Sequence, residues 1–209
     1  MMMENKATQL ARRRYNRIAP VYDLMEVLME RRHQSWRKLL WSKVEGKKIL
    51  EVGVGTGKNI TFYPGNIEIT AIDFSEKMLG RAREKAKRLE TRVDLQQMDV
   101  QDLRFDDNTF DTVVATFVFC SVPDPVKGLT EIMRVCKPGG KVLLLEHVLS
   151  ANGILAFFMN LANPLVAGLM GPNINRKTVE NVVKSGLTIE KVTDLSVGIF
   201  KLIEARVQK

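Results

Sequence analysis

The sequence predicts a doubly wound α/β domain: a seven-stranded, mostly parallel sheet, preceded by N-terminal helices and closed by an antiparallel C-terminal hairpin. Three observations predict it. Short β-rich runs alternate with helical ones from Lys48 onward. The first five runs, "KILEVG", "IEITAID", "VDLQQMD", "FDTVVATFVF" and "KVLLLEH", are nearly continuous in Val, Ile and Leu, the pattern of strands covered by helices on both faces. The last two, "LTIEKVTDL" at 187–195 and "GIFKLIEARV" at 198–207, are joined by too few residues for a parallel crossover, so they read as a hairpin.

Taken in chain order, residues 5–45 carry helical spacing. Leu10, Tyr15, Ile18 and Ala19 form a first segment, Pro20 breaks it, and Leu24, Met25, Val27, Leu28, Trp36, Leu39, Leu40 and Trp41 form a second. Between the strands, helical candidates fall at about 58–64, 76–90 and 125–136. Pro138, Gly139 and Gly140 read as a plain turn before the fifth strand. Residues 151–175, "ANGILAFFMNLANPLVAGLMGPNIN", approach the length of a membrane span, but Asn160, Asn163 and Pro164 interrupt them, so a true crossing is rejected. They read either as a broken core helix or as a lid lining an apolar substrate site. At 209 residues one core suffices. The chain is expected to be one domain over 1–209, with a helical cap at 1–47, a ligand-binding core at 48–150, and a lid with closing hairpin at 151–209.

The net charge is +8, and residues 1–48 hold most of the excess, with 12 Lys/Arg against 5 Asp/Glu. Such a segment is either an anionic-surface contact or a solvated helical face. Cys120 and Cys136 stand at no metal-ligand spacing, so no metal site is expected. With no apolar leader in "MMMENKATQLARRRYNRIAP", the expected location is the cytoplasm, at the inner membrane surface, and a monomer is expected.

The stretch "ILEVGVGTGKNI" carries the chemistry. Gly53, Gly55 and Gly57 give G-x-G-x-G, and Lys58 stands where the dinucleotide fingerprint has its last glycine. A phosphate-binding P-loop fails at Val52, where its first glycine belongs, and at Asn59, where its hydroxyl belongs. What remains is a strand ending near Glu51, a glycine turn that lets the backbone approach a ligand, and Asp73 twenty positions after Gly53. An acid there can accept from both hydroxyls of a ribose.

In this arrangement "EVGVGTGKN" and "ITAIDFSEKML" resemble the cofactor motifs of the class I S-adenosylmethionine-dependent methyltransferases, and "MDVQDLRFDDNTFD" and "IMRVCKPGGKVLLLEH" resemble their later segments. The resemblance covers about residues 15–209 and implies a Rossmann-like fold with S-adenosylmethionine as cofactor. Carried over residue by residue, it puts Gly53, Gly55, Gly57 and Glu51 at the methionine part, Asp73 at the ribose, and Phe74 or Met78 on the adenine. Asp99 and Val100 would meet the adenine edge, and Thr116 is a further cofactor-binding candidate.

Tyr15 and Tyr22, in "RYNRIAPVYD", are similar to the N-terminal run of the ubiquinone and menaquinone methyltransferase superfamily, which implies a place over the cofactor for Tyr15 and a catalytic one for Tyr22. His147, after the fifth strand, reads as a general base or as a structural histidine. Cys120 reads as a small buried residue, since Phe119 stands where a cytosine methylase has proline. The adenine-N6 signature is missing from "ATFVFCSV", so nucleic acid is disfavoured as substrate. The runs "TFVFCSVPDP" and "LLLEHV" look most similar to bacterial phosphatidylethanolamine N-methyltransferases, with related thiol methylases alongside. The resemblance implies a lipid or small apolar acceptor, with quinone carbon and thiol sulfur as alternatives, and peripheral contact with an anionic membrane. Arg12, Arg13, Arg14, Arg17, Arg31 and Arg32 would attract such a surface, and Asn173 and Arg176 are candidates for a lipid phosphate. The competing class is an accessory protein that binds nucleic acid through the basic helices without turnover.

Overall fold

The computed structural model describes residues 6–18, 22–169 and 171–208, without the side chains of 18, 22–31 and 169. The Pro20 break therefore lies outside the described residues, as do the side chains of Tyr22, Leu24, Met25, Val27, Leu28 and Arg31. Helices α1 (Lys6–Ile18) and α2 (Tyr22–Trp41) precede the sheet. Strands β1 (Lys48–Val52), β2 (Glu68–Asp73), β3 (Asp94–Gln97), β4 (Phe110–Thr116) and β5 (Cys136–His147) follow, with α3 (Glu76–Arg88) after β2 and α4 (Pro125–Val135) after β4. Helices α5 (Gly153–Leu169) and α6 (Thr178–Lys184) lead to β6 (Thr188–Ser196) and β7 (Phe200–Arg206).

The seven strands lie in the order β3-β2-β1-β4-β5-β7-β6. β1 to β5 run parallel, and β7 is antiparallel to both β5 and β6, as the hairpin reading requires. Strand alternation sorts the core by face. Leu143 and Leu145 of β5 pack with Trp36, Leu40 and Trp41 of α2. Val142 and Leu144 point the other way, to Leu129 and Ile132 of α4 and Val182 of α6. Each such fully buried aliphatic side chain contributes about 1.5–3 kcal/mol.

Four expectations need correction. The helix at 58–64 is only a 3-10 turn over Ile60–Phe62. The turn at Pro138–Gly140 is a bulge inside β5: Cys136 pairs with Phe110 and Lys141 with Thr112, and Gly139 takes φ +71° within the looped-out residues. The expected broken core helix is an unbroken one over Gly153–Leu169 that buries little besides Met159. Helix α5 runs through Pro164, and its apolar side chains Ile154, Phe157, Phe158, Leu161 and Leu165 are exposed. Helix α6 was not foreseen, because "TVENVVK" is short and β-branched at four of its seven positions, a composition that favours strand.

Candidate active site

The strand order reverses between β1 and β4, where an open α/β sheet forms its ligand crevice. A narrow cleft with a cavity volume of about 40 Å³ opens there, beyond the carboxyl ends of β1 and β2. Its floor is Gly53 and Asp73, one wall is Phe74 with Met98, Asp99 and Val100, and the other wall is Val118 with Ser121 to Pro123.

The glycine loop has two different physical jobs. Gly53 has φ +68°, and a Cβ there would lie 2.4 Å from Val118 Cγ2, so only glycine lets the loop touch the β4 side of the cleft. Gly55, at φ +56°, has nothing closer than the Gly53 carbonyl at 4.0 Å, leaving open space beside its backbone. Gly57 packs on α3 instead, where a Cβ would lie 2.6 Å from Ile60 Cδ1 and 3.1 Å from Ala82 Cα.

Asp73 ends β2 with both carboxylate oxygens anchored. Oδ2 accepts from Gly55 N–H at 2.9 Å and Oδ1 from Ser75 N–H at 2.8 Å. Burial raises its pKa to about 6, against the backbone N–H groups of Ser75, Gly55 and Phe74, which pull it down. Each oxygen keeps a further lone pair for a ligand hydroxyl. Asp99 is held by Gln101, whose backbone N–H reaches Oδ1 at 2.9 Å and whose side-chain amide reaches Oδ2 at 2.9 Å.

Helix α1 covers this cleft. Thr8 lines it and accepts from the Gln101 amide at 3.1 Å. The Tyr15 hydroxyl bonds Ser121 Oγ, and its ring meets Phe74 edge-on with centroids 5.7 Å apart. Asn16 Oδ1 accepts from Ser75 Oγ at 2.6 Å, beside Asp73. Three polar contacts thus tie α1 to the loops that carry the ligand-facing residues.

Glu51 and Thr116 belong to a separate, sealed network. Asn59 Nδ2 donates to Glu51 Oε1 at 2.6 Å and to Thr116 Oγ1 at 3.0 Å, Arg37 donates to Asn59 Oδ1 at 3.0 Å, and Tyr63 donates to Glu51 Oε2. Burial raises Glu51 to about 7, opposed by the Tyr63 and Asn59 bonds. Both residues are buried and neither lines the cleft. Met78 is also buried and does not line it, so Phe74 is the ring placed at the cleft.

His147 and Glu146 face opposite sides of the sheet by strand alternation. The His147 ring packs edge-on against Phe200 at 5.1 Å, in the group that also holds His33, Trp36 and Phe117, and burial lowers its pKa. It does not line the cleft. Glu146 is fully buried, raised to about 7 by burial, and its Oε1 holds the N–H groups of Val118 and Phe119 at 2.9 and 3.1 Å. It therefore shapes the β4 loop that forms one wall. Cys120 is buried, with its thiol pushed up to about 12 by burial, which leaves it protonated and non-nucleophilic.

Arg176, a candidate from sequence for a lipid phosphate, is half-buried and donates to the Val122 carbonyl at 2.9 Å. Asn173 bonds the Cys120 carbonyl through its backbone N–H and its side-chain amide, at 2.8 and 3.2 Å. Among the described residues, Thr8 of α1 lines the cleft and none of 151–175 does. Tyr22 begins α2, and its side chain is outside the described residues.

Of the residues anticipated for the ligand, the cleft gathers Gly53, Asp73, Phe74, Asp99 and Val100, with Gly55 and Tyr15 at its edge. Sequence reasoning missed Thr8, Gln101 and Ser121. Gln101 sits two residues after Asp99, and that spacing alone permitted the capping bond that makes it the hub between α1, Asp99 and the α4 start, where Asp124 N–H reaches Gln101 Oε1 at 2.9 Å. The donor set fits an adenosyl ligand: anchored acid for a diol, aromatic wall for a base, open backbone at Gly55.

Residues 50–144 match the family described as "Methyltransferase domain". A phosphatidylethanolamine N-methyltransferase of Cereibacter sphaeroides is 47% identical over 113 residues, covering 53% of this chain and 56% of that protein. A ubiquinone/menaquinone biosynthesis C-methyltransferase of Geobacter sp. (strain M21) is 35% identical over 145 residues, covering 63% and 60%. The chain thus spans less than two thirds of the length of these relatives. Among solved structures, a geranyl diphosphate methyltransferase in complex with SAM superposes with a TM-score of 0.68 at 14% identity, over 83% of this chain and 84% of that one.

Proposed function

We propose that this chain, which carries a methyltransferase domain on the fold of the S-adenosylmethionine-dependent methyltransferases, transfers a methyl group to the amine of a lipid head group, with phosphatidylethanolamine as the first acceptor. The observation that carries the transferase reading is Asp73, anchored at both oxygens and facing a cleft that α1 closes. The acceptor reading is supported by the 47% identical relative.

When bound, S-adenosylmethionine supplies an activated methyl on a sulfonium. The residues of this chain have the remaining tasks. Asp73 holds the ribose hydroxyls, and Asp99, oriented by Gln101, accepts from the adenine edge. Phe74 packs on the ring face. The Tyr15–Ser121 and Asn16–Ser75 bonds keep α1 over the cleft and exclude water, so that the acceptor is aligned in a dry site. The acceptor amine must arrive neutral. Asp73 and Asp99 are the titratable side chains of the cleft among the described residues, and both are committed to binding; His147 packs on Phe200 away from the cleft, which leaves Tyr22 as the candidate base.

A second reading, methylation of a quinone ring carbon, is favoured by the 35% identical relative. The deciding experiment incubates the purified chain and methyl-labelled S-adenosylmethionine with phosphatidylethanolamine vesicles, a demethylated quinone and an alkyl thiol. Label in the lipid supports the first reading. Label in the quinone alone replaces it with the second. Binding of S-adenosylhomocysteine without label in any acceptor rules out both.

A further inference from the structure

We propose that the outer face of α5 docks on the headgroup boundary of an anionic lipid bilayer, with the α1 arginines beside it as the electrostatic contact. Ile154, Phe157, Phe158, Leu161 and Leu165 are 58–74% exposed. Their offsets of three, four, seven and eleven residues place them within an arc of roughly 100° on the helix. Met159, on the other side, is buried against the protein, so the stripe faces outward. Residues 151–175 contain no Asp, Glu, Lys, Arg or His, and no ion has to be desolvated when this face enters an apolar phase. Among the described residues no helix is long and apolar enough to cross a membrane. The geometry is that of a helix lying in the interface plane.

The basic partner sits at the C-terminal half of the same helix. Arg14 Nη1 donates to the Ala167 carbonyl at 2.9 Å, joining α1 to α5. Arg13 and Arg17 are exposed, and their offsets put them on the same side of α1 as Arg14. No acidic residue interrupts α1, "KATQLARRRYNRI". This charge selects the occupant. A second copy of a chain with net charge +8 would bring one arginine cluster against another, whereas anionic lipid is complementary. The proposal deepens the lipid-acceptor reading by placing the chain where head groups are, but docking itself requires no turnover.

The test is sedimentation of the full chain with two vesicles, phosphatidylcholine alone and phosphatidylcholine with about 30 mol% phosphatidylglycerol, beside the variant Phe157→Gln/Leu161→Gln. Both positions are exposed, so the variant should keep the wild-type melting temperature and S-adenosylhomocysteine affinity. The expected result is binding to the anionic vesicles that the variant weakens by about tenfold or more, and that neutral vesicles weaken similarly. Equal binding by variant and wild type overturns the proposal. So does a concentration-dependent dimer, abolished by the variant, in a chain that ignores both vesicles. Docking with no methyl transfer to any acceptor leaves this surface standing and removes the enzymatic reading. Methyl transfer to dispersed lipid without docking does the reverse.

Discussion

Replacing Asp73 by Asn separates what this carboxylate does for binding from what it does for stability. In the folded chain its pKa rises from 3.8 to about 6. A shift of about two units corresponds to about 3 kcal/mol, the cost of holding the buried group ionised above pH 6. The sign follows from linkage: a raised folded pKa gives stability that is full below about pH 4 and lost as pH rises through 6. Asn carries no charge and avoids that cost at pH 8. It also turns an NH₂ toward the Gly55 N–H that Oδ2 now accepts, which costs about 1–3 kcal/mol. The two effects nearly cancel, so Asp73→Asn should melt within a few degrees of wild type at pH 8, and lower relative to wild type at pH 5, where only about half of that cost remains to be relieved. Binding has no such compensation. Losing a charge-assisted bond to a ribose hydroxyl costs about 1.5–3 kcal/mol, so the Kd for S-adenosylhomocysteine should rise about 10–150-fold. Wild-type affinity should also fall as pH drops through 6, while the variant stays flat. Calorimetric titration at pH 5 and pH 8, with melting curves at both, reads every term. If the variant binds within about threefold of wild type at pH 8, Asp73 is not the ribose acid.

Gly53→Ala should lower the melting temperature by several degrees and abolish ligand binding, because the new Cβ would sit 2.4 Å from Val118 Cγ2 at a positive φ. The double variant with Val118→Ala should recover part of the loss, and failure to do so would deny the contact. Phe74→Ala should weaken S-adenosylhomocysteine binding by about 1–3 kcal/mol, the worth of stacking on a base, whereas Met78→Leu should leave it unchanged in the same titration. The ligand-free chain should lose stability from pH 5 to pH 8 in urea unfolding. Burial raises Glu51 and Glu146 from 4.5 to about 7, as it raises Asp73, and their contribution is lost as pH climbs through those values. His147, lowered by burial, works the other way, losing stability as pH falls, but it is one group against three. A profile that rises across this window would contradict the burial of these acids.

The fold was legible because its signals are local. Val, Ile and Leu runs, Gly-rich punctuation and the short link before β7 identify a parallel sheet with a final hairpin without any tertiary information. The cleft was legible wherever a residue acts from a strand end, as Gly53, Asp73 and Asp99 do, since strand ends fix the crevice. It was not legible where two distant segments meet. Thr8 and Ser121 have no special spacing in sequence, and they become cleft residues because α1 folds back over the sheet. Glu51 and Thr116 carry motif positions, and only the folded chain shows that Asn59 bonds them both.

By itself the sequence determined the sheet, the glycine turn and the acid that follows it, because those depend on backbone propensity and on spacing along one chain. Only the tertiary structure decided that α1 is the cover and that α5 turns its apolar side outward. Those outcomes depend on which surfaces compete for burial once all elements are present. The core of the sheet is filled by α2, α3, α4 and α6, and α5 is left with an apolar stripe that nothing in the described chain covers.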